Sequence, residues 1–331
     1  MKRLVTIDDI IDTYIKLRLR GSSFILSKFS FNNLKRTKSA FNDTNIKSAN
    51  WSIIPMVHKR WNTLITGNPK CSYEEFVVKN FLDSSTKIKM LSIGSGVCKH
   101  ELKFASFKNF EEILCIDISE ALLNQAKQTA KQNNLKNITF KAGNIYDHKF
   151  KENYFDIVFF HASLHHFKDI ETLLGDKLKS ALKKNGKLII NEYTGPNRLQ
   201  FPKHQIKYIN RALKLIPKKF RRRYGVNFHK NKVYGSGLIR VILADPSECV
   251  ESETIIPAIH KYYNTKYEVF YGGNLLMPVL KDLSHHFINL TDEKEKTLDN
   301  LFKLEDAYLK RYKSDYVFGI YEKKSSVSLT Y

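Results

Sequence analysis

Two glycines, an aspartate, three histidines and a glutamate are the residues of this sequence best suited to chemistry. Lys89-Met-Leu-Ser-Ile-Gly-Ser-Gly-Val-Cys98 sets Gly94, Ser95 and Gly96 directly after a short apolar run. The first glycine permits a tight turn, and the second lets backbone approach a ligand closely. Asp117 closes the next apolar run, about twenty residues on, where a carboxylate can accept from both ribose hydroxyls of an adenosine. A dinucleotide fingerprint needs a third glycine three positions after the second. Lys99 stands there, which argues against NAD or FAD and for a cofactor without phosphates. His161, His165 and His166 follow a further apolar run, and Glu192 and Tyr193 end another. An imidazole in such a place can take a proton from a hydroxyl.

The elements that must carry these residues alternate regularly from Lys87. Apolar runs at 89–93, 113–116, 138–140, 155–160 and 187–191 read as strands. Between them Ser119 caps a helix with Leu122, Leu123, Ala126 and Ala130 on one face. A second helix aligns Ile170, Leu173, Leu174, Leu178, Ala181 and Leu182 before Asn185-Gly186. Strands alternating with helices imply a parallel sheet with right-handed crossovers. Ahead of it, Ile7, Ile10, Ile11, Tyr14, Ile15 and Leu17 predict an amphipathic helix. Residues 35–48 read as a loop, and 51–82 as helix broken at Gly67-Asn68-Pro69. Beyond it, Asp245-Pro-Ser-Glu248 reads as a helix start, 266–271 and 316–321 as strands, and 275–312 as helical. The expected organisation is a helical cap over 1–82, a main domain over 83–324 with insertions at about 197–240 and 275–312, and a tail at 325–331.

At this point the chain resembles the class I methyltransferases that use S-adenosylmethionine. Leu91-Ser-Ile-Gly-Ser-Gly-Val-Cys98 resembles their first motif, with Ser92 where an acidic residue is common and Cys98 where a third glycine is common. Glu101 is the candidate for supplying the missing carboxylate. Leu114-Cys-Ile-Asp-Ile-Ser119 resembles the second motif, Ala142-Gly-Asn-Ile-Tyr146 the adenine segment, and 155–167 the fourth-strand motif with its Leu-His-His ending. Residues 182–190 resemble the turn into the fifth strand. The resemblance implies an α/β, Rossmann-like doubly wound fold, seven-stranded and mostly parallel, with a helical cap and helical insertions after strands five and six. It implies that Gly94, Ser95, Gly96, Glu101, Asp117, Ile118, Asn144, Ile145 and His161 hold S-adenosylmethionine. His165, His166 and Glu192 form the implied catalytic group, one of the two histidines being the base. Tyr193, Arg198 and Gln200 are the implied acceptor contacts. Residues 191–201, 245–248 and 271–276, with Trp61-Asn62 and Thr66-Gly67, resemble a bacterial subgroup tied to surface glycans or small metabolites. The implied reaction is methyl transfer to a hydroxyl or amine of a small molecule or sugar-containing acceptor.

Composition bears on partners. Lys and Arg number 55 against 33 Asp and Glu, a net charge of +22 spread along the chain. Such a balance favours anionic partners. Lys218-Lys-Phe-Arg-Arg-Arg-Tyr224 concentrates it, and keeps open a nucleic-acid methyltransferase or a peripheral contact with an anionic membrane. Against nucleic acid, the residues after the fourth strand are His-Ala-Ser-Leu, unlike the strings of base-modifying enzymes. A non-catalytic scaffold is a further alternative, given Ser92, Cys98 and Asn144. Cys71, Cys98, Cys115 and Cys249 lie far apart without metal-ligand spacing, so no metal is expected. The charged N-terminus is a poor signal peptide, and no run approaches a membrane span. A cytoplasmic protein is the expectation.

Overall fold

A computed structural model describes residues 2–27 and 50–324 of the chain, so the segment read as a loop at 35–48 and the tail at 325–331 lie outside the described residues. The chain divides into two compact units. One comprises Tyr73–Thr194, Glu251–Val269 and the chain from Val317. The other comprises the segments before Tyr73, Gly195–Val250 and Phe270–Tyr316.

The first unit is built on a seven-stranded sheet. Its strands are β1 (Ile88–Ile93), β2 (Phe110–Asp117), β3 (Ile138–Ala142), β4 (Phe155–His161), β5 (Leu182–Tyr193), β6 (Tyr263–Gly272) and β7 (Tyr316–Lys323). They lie in the order β3-β2-β1-β4-β5-β7-β6, and the pairs β1–β2, β1–β4, β2–β3 and β4–β5 are parallel. This is the α/β, doubly wound arrangement expected from the sequence. The order reverses beside β1, so crossovers leave β1 and β4 in opposite directions and open a crevice at their C-terminal ends. Central strands covered on both faces need continuous apolar runs. Leu91, Ile93, Val158, Phe160, Leu188 and Ile190 supply them and are all buried. Ser119 caps the helix Glu120–Gln132, its Oγ accepting from Leu122 N at 3.5 Å, and Leu122, Leu123, Ala126 and Ala130 are buried as expected. The face of 170–182 chosen from periodicity is also buried, although Leu173–Leu178 winds as a π-helix.

The helix Tyr73–Phe81 was expected in the cap but groups with the sheet. Tyr73 lies against Phe318, with ring centroids 5.4 Å apart, and Phe76 against Tyr267 at 5.1 Å. Aromatic packing, rather than position along the chain, sets this boundary.

The second unit packs the helices Pro55–Thr66, Lys203–Leu215, Leu276–Leu280 and Asp292–Leu309 around Trp51, Ile54, Ile209, Leu213, Leu298 and Leu301. Gly67, with φ 76°, ends the first of these helices in the left-handed conformation that glycine adopts most cheaply. Two local expectations are corrected here. The N-terminal helix Ile7–Ser27 forms, but Ile10 is 67% exposed while Asp12 is 6% exposed. The acidic side turns inward because partners await it. Asp9 Oδ1 accepts from Gly237 N at 2.9 Å and Arg240 Nε at 2.8 Å, and Asp12 pairs with Lys281. Asp245-Pro-Ser-Glu248 forms a turn instead of a helix start: Asp245 Oδ1 accepts from Ser247 N at 2.9 Å and Ser247 Oγ at 2.7 Å. Among the described residues, no helix is long and apolar enough to cross a membrane.

Candidate active site

The glycine turn closes over the end of β1. Gly94 has φ 68°, and its N–H donates to Ile116 O at 2.8 Å. A Cβ there would lie 2.7 Å from Ser163 Cβ, so the turn presses directly on the loop after β4. Ser95 Oγ donates to the same Ile116 carbonyl at 3.4 Å. Gly96, φ 53°, donates its N–H to Asp117 Oδ2 at 2.8 Å, and Ser119 N donates to Asp117 Oδ1 at 2.7 Å. Each carboxylate oxygen keeps further accepting capacity. Burial pushes the Asp117 carboxyl up, opposed by the Ser119 and Gly96 amides and by the charge of His166. Cys98 fills the third glycine position at φ 54°, a left-handed backbone that an L residue adopts at some cost.

The departure at Ser92 has a structural counterpart. Ser92 Oγ donates to Glu101 Oε1 at 2.5 Å, and both residues are buried. The carboxylate common on the strand is thus carried by the helix Lys99–Ala105 and reaches the same place. Burial pushes the Glu101 carboxyl up; the charge of His100 and the Ser92 hydroxyl oppose this. Beyond β3, Gly143 N donates to Asp117 O at 2.9 Å, and Asn144 Oδ1 accepts from Tyr146 N at 3.3 Å. Ile145 is buried, and Ile118 and Asn144 are half-buried.

Glu192, at the end of β5, organises the loop that follows β4. It is wholly buried; Oε2 accepts from Ser163 N at 2.8 Å and Leu164 N at 2.6 Å, and Oε1 from Tyr193 N at 2.8 Å. Oε1 also hydrogen-bonds with His165 Nδ1. Three of these bonds are accepted from backbone amides. Ser163 Oγ donates to Ile93 O at 2.8 Å and joins this loop to the glycine turn. The His166 ring lies 4.2 Å from that of His165, and Tyr193 lies 6.1 Å away. Glu192, expected from the sequence in the catalytic group with His165 and His166, is thus buried and bonded to the loop that carries both histidines.

His161 leads to residues that the sequence reading missed. Its Nδ1 lies 3.0 Å from Tyr73 Oη, and its ring 3.7 Å from that of His100. His100 Nδ1 in turn lies 2.6 Å from Glu74 Oε1. Tyr73, Glu74 and His100 come from helices either side of β1, and no local spacing pairs them.

Arg198 and Gln200 belong to the second unit, where backbone groups engage them. Arg198 Nη1 donates to Pro246 O at 2.7 Å and Glu248 O at 3.0 Å. Gln200 Oε1 accepts from Arg3 N at 2.9 Å, and its Nε2 donates to Ser236 O at 2.9 Å. These contacts fasten loops of the second unit.

Comparison with known proteins fits this geometry. Residues 84–238 match a family model described as a methyltransferase domain. The uncharacterised protein YafE of Escherichia coli is 31% identical over 102 residues, 31% of this chain and 49% of that protein. The uncharacterised methyltransferase YcgJ of Bacillus subtilis is 23% identical over 128 residues, 35% of this chain and 49% of that protein. The chain thus spans about half the length of these curated relatives. A phosphoethanolamine N-methyltransferase 2 of Haemonchus contortus, solved with phosphomonomethylethanolamine and S-adenosylhomocysteine, shares the fold. It has a TM-score of 0.50 and 16% identity, over 87% of this chain and 61% of that one. Residues 84–238 thus match a methyltransferase domain, on a fold shared with a methyltransferase solved with S-adenosylhomocysteine, which supports S-adenosylmethionine as the cofactor.

Proposed function

We propose that this protein moves a methyl group from S-adenosylmethionine to a hydroxyl or amine of a small-molecule or sugar-containing acceptor, with His165 taking the acceptor's proton. The observation that carries the reading is the buried carboxylate of Glu192 on His165 Nδ1. A carboxylate fixes the proton on Nδ1 and leaves Nε2 as the basic nitrogen. The His166 ring lies against it at a tilt of 40°, and Tyr193 flanks it.

S-adenosylmethionine supplies an activated methyl group when bound, and the turn fits such a ligand. Gly94 has no room for a side chain, and the Asp117 carboxylate stands at the end of β2 with accepting capacity left for ribose hydroxyls. Gly96 and Ser95 shape the turn, Ile118 and Ile145 offer apolar contact, and Asn144 can accept from an exocyclic amine. Glu101 and His161 are assigned to the amino-acid end. All four cysteines are free thiols, which supports a cytoplasmic location.

The test is release of S-adenosylhomocysteine from the full chain across a panel of hydroxylated and amine-bearing small molecules. With an accepted substrate, His165→Gln should lower turnover by about 10²- to 10⁴-fold, the usual worth of a general base. Cofactor affinity should stay unchanged. Turnover equal to wild type would remove His165 from the mechanism.

A further inference from the structure

The basic run at 218–224 is divided, with Lys218, Lys219 and Arg222 exposed and Arg223 buried. Lys219 Nζ lies 2.6 Å from Glu293 Oε2. Arg223 turns inward, only 4% exposed, and its Nη1 donates to Asp282 Oδ2 at 2.6 Å. An antiparallel bridge between Arg222 and His229 closes a short hairpin, with Arg223 N donating to Phe228 O at 3.1 Å and Lys230 N to Arg221 O at 2.7 Å. Gly225 turns it with φ 71°, and Tyr224 N donates to Asp282 O at 3.0 Å, fastening the hairpin beside His285 and His286.

This construction borders an open cavity of about 390 Å³, lined by Arg18, Arg222, Arg223, Tyr224, His285 and His286 among others. Among the described residues no carboxylate lines it, and that of Asp282 pairs with Arg223 behind its wall. Two nitrogens of its wall, Arg223 Nε and His285 Nδ1, are buried without a hydrogen-bond partner among the described residues. The imidazoles of His285 and His286 lie 3.9 Å apart, and His286 Nε2 donates to Arg222 O at 2.8 Å. Burial first, then the neighbouring His286, hold the His285 pKa down to about 4, so at neutral pH it is an uncharged ring able to donate. Unmet buried polar nitrogens are costly, and a native structure keeps them where something answers them.

We propose that this cavity is a binding site for a phosphate monoester. A dianion with three terminal oxygens can answer several guanidinium groups and an imidazole at once, whereas a carboxylate is satisfied by a single guanidinium. The cavity also leaves room beyond the phosphate for part of an organic group. The site stands apart from the methyl-transfer reading and does not depend on it.

The test is calorimetric titration of the full chain with phenyl phosphate and inorganic phosphate, beside vesicles of phosphatidylcholine with phosphatidic acid and a single-stranded oligonucleotide. Saturable one-to-one binding of phenyl phosphate is expected. Arg222→Gln should weaken it about tenfold or more, the worth of one charge-assisted hydrogen bond. His286→Gln checks the opposite wall and should also weaken it, each variant keeping the wild-type unfolding midpoint. Binding of the vesicles alone, lost in the same variants, would assign the monoester to a lipid headgroup. Binding of the oligonucleotide alone, binding of no phosphate compound, or affinity indifferent to both variants would overturn the proposal.

Discussion

Replacing Glu192 by Gln should damage both the stability of the sheet unit and the basicity of His165. The wild-type carboxylate accepts from Ser163 N, Leu164 N and Tyr193 N at 2.8, 2.6 and 2.8 Å, and hydrogen-bonds with His165 Nδ1 as well. Gln keeps one accepting oxygen. If that oxygen stays on Ser163 and Leu164, the new amide points its own donors at Tyr193 N–H and His165. Two bonds to a buried charged acceptor are then lost, each worth about 1.5–3 kcal/mol, so the cost is about 3–6 kcal/mol. That is a large share of the roughly 5–15 kcal/mol that holds a domain folded. To relieve the conflict, His165 must accept at Nδ1 and carry its proton on Nε2, which removes the base. In a comparable carboxylate–histidine pair the wrong tautomer costs about 10⁴-fold in turnover. Urea unfolding followed by far-ultraviolet circular dichroism measures the first effect, and imidazole ¹⁵N shifts report the tautomer. A stability change below about 1 kcal/mol, with His165 still protonated on Nδ1, would refute the reasoning.

Other outcomes follow from the same geometry. Gly94→Ala should destabilise more than Gly96→Ala in the same urea experiment. Both sit at positive φ, worth about 1–2 kcal/mol against any L residue, but only the former meets Ser163 Cβ, at 2.7 Å, whereas the latter finds nothing nearer than Leu122 at 3.9 Å. Equal losses would contradict the close approach of turn and loop. Lys230 is fully buried in the second unit, its Nζ donating to Pro278 O and Lys281 O at 2.7 Å each, and burial lowers its pKa to about 7 from 10.5. Between those values the unfolded chain binds the extra proton, so stability rises with pH across the window, by up to about 1.4 kcal/mol per pH unit. Lys230→Met should flatten that slope, measured as unfolding midpoints from pH 7 to pH 10; an unchanged slope would assign it elsewhere.

What could be read from the sequence was whatever local periodicity and turn chemistry control. The strand runs, the Ser119 cap, the buried face of 170–182 and the Gly94–Gly96 turn with Asp117 all follow from short-range pattern. Long-range partners decided the rest. The N-terminal helix turned its acids inward because Arg240 and Lys281, more than two hundred residues away, lie beside them. The helix Tyr73–Phe81 joined the sheet through Phe318 and Tyr267, residues from the end of the chain. Asp245 carries a good capping signature, yet its carboxylate found Ser247 first and made a turn. In the candidate site, Glu101 was legible as a carboxylate near the turn, but its bond to Ser92 across the β1 turn was not. Tyr73, Glu74 and His100 left no trace in spacing, since β1 stands between them in sequence and only folding brings His100 against His161.

The central claim is that the turn and Asp117 hold S-adenosylmethionine. Calorimetric titration of the full chain with S-adenosylmethionine, alongside Asp117→Ala, tests it most directly. Saturable binding at one site is expected, weakened at least about tenfold by the substitution, since a lost pair of hydrogen bonds to a carboxylate is worth that much or more. No binding at roughly millimolar cofactor, above the range in which most enzymes hold their ligands, or an affinity unmoved by Asp117→Ala, would contradict the account.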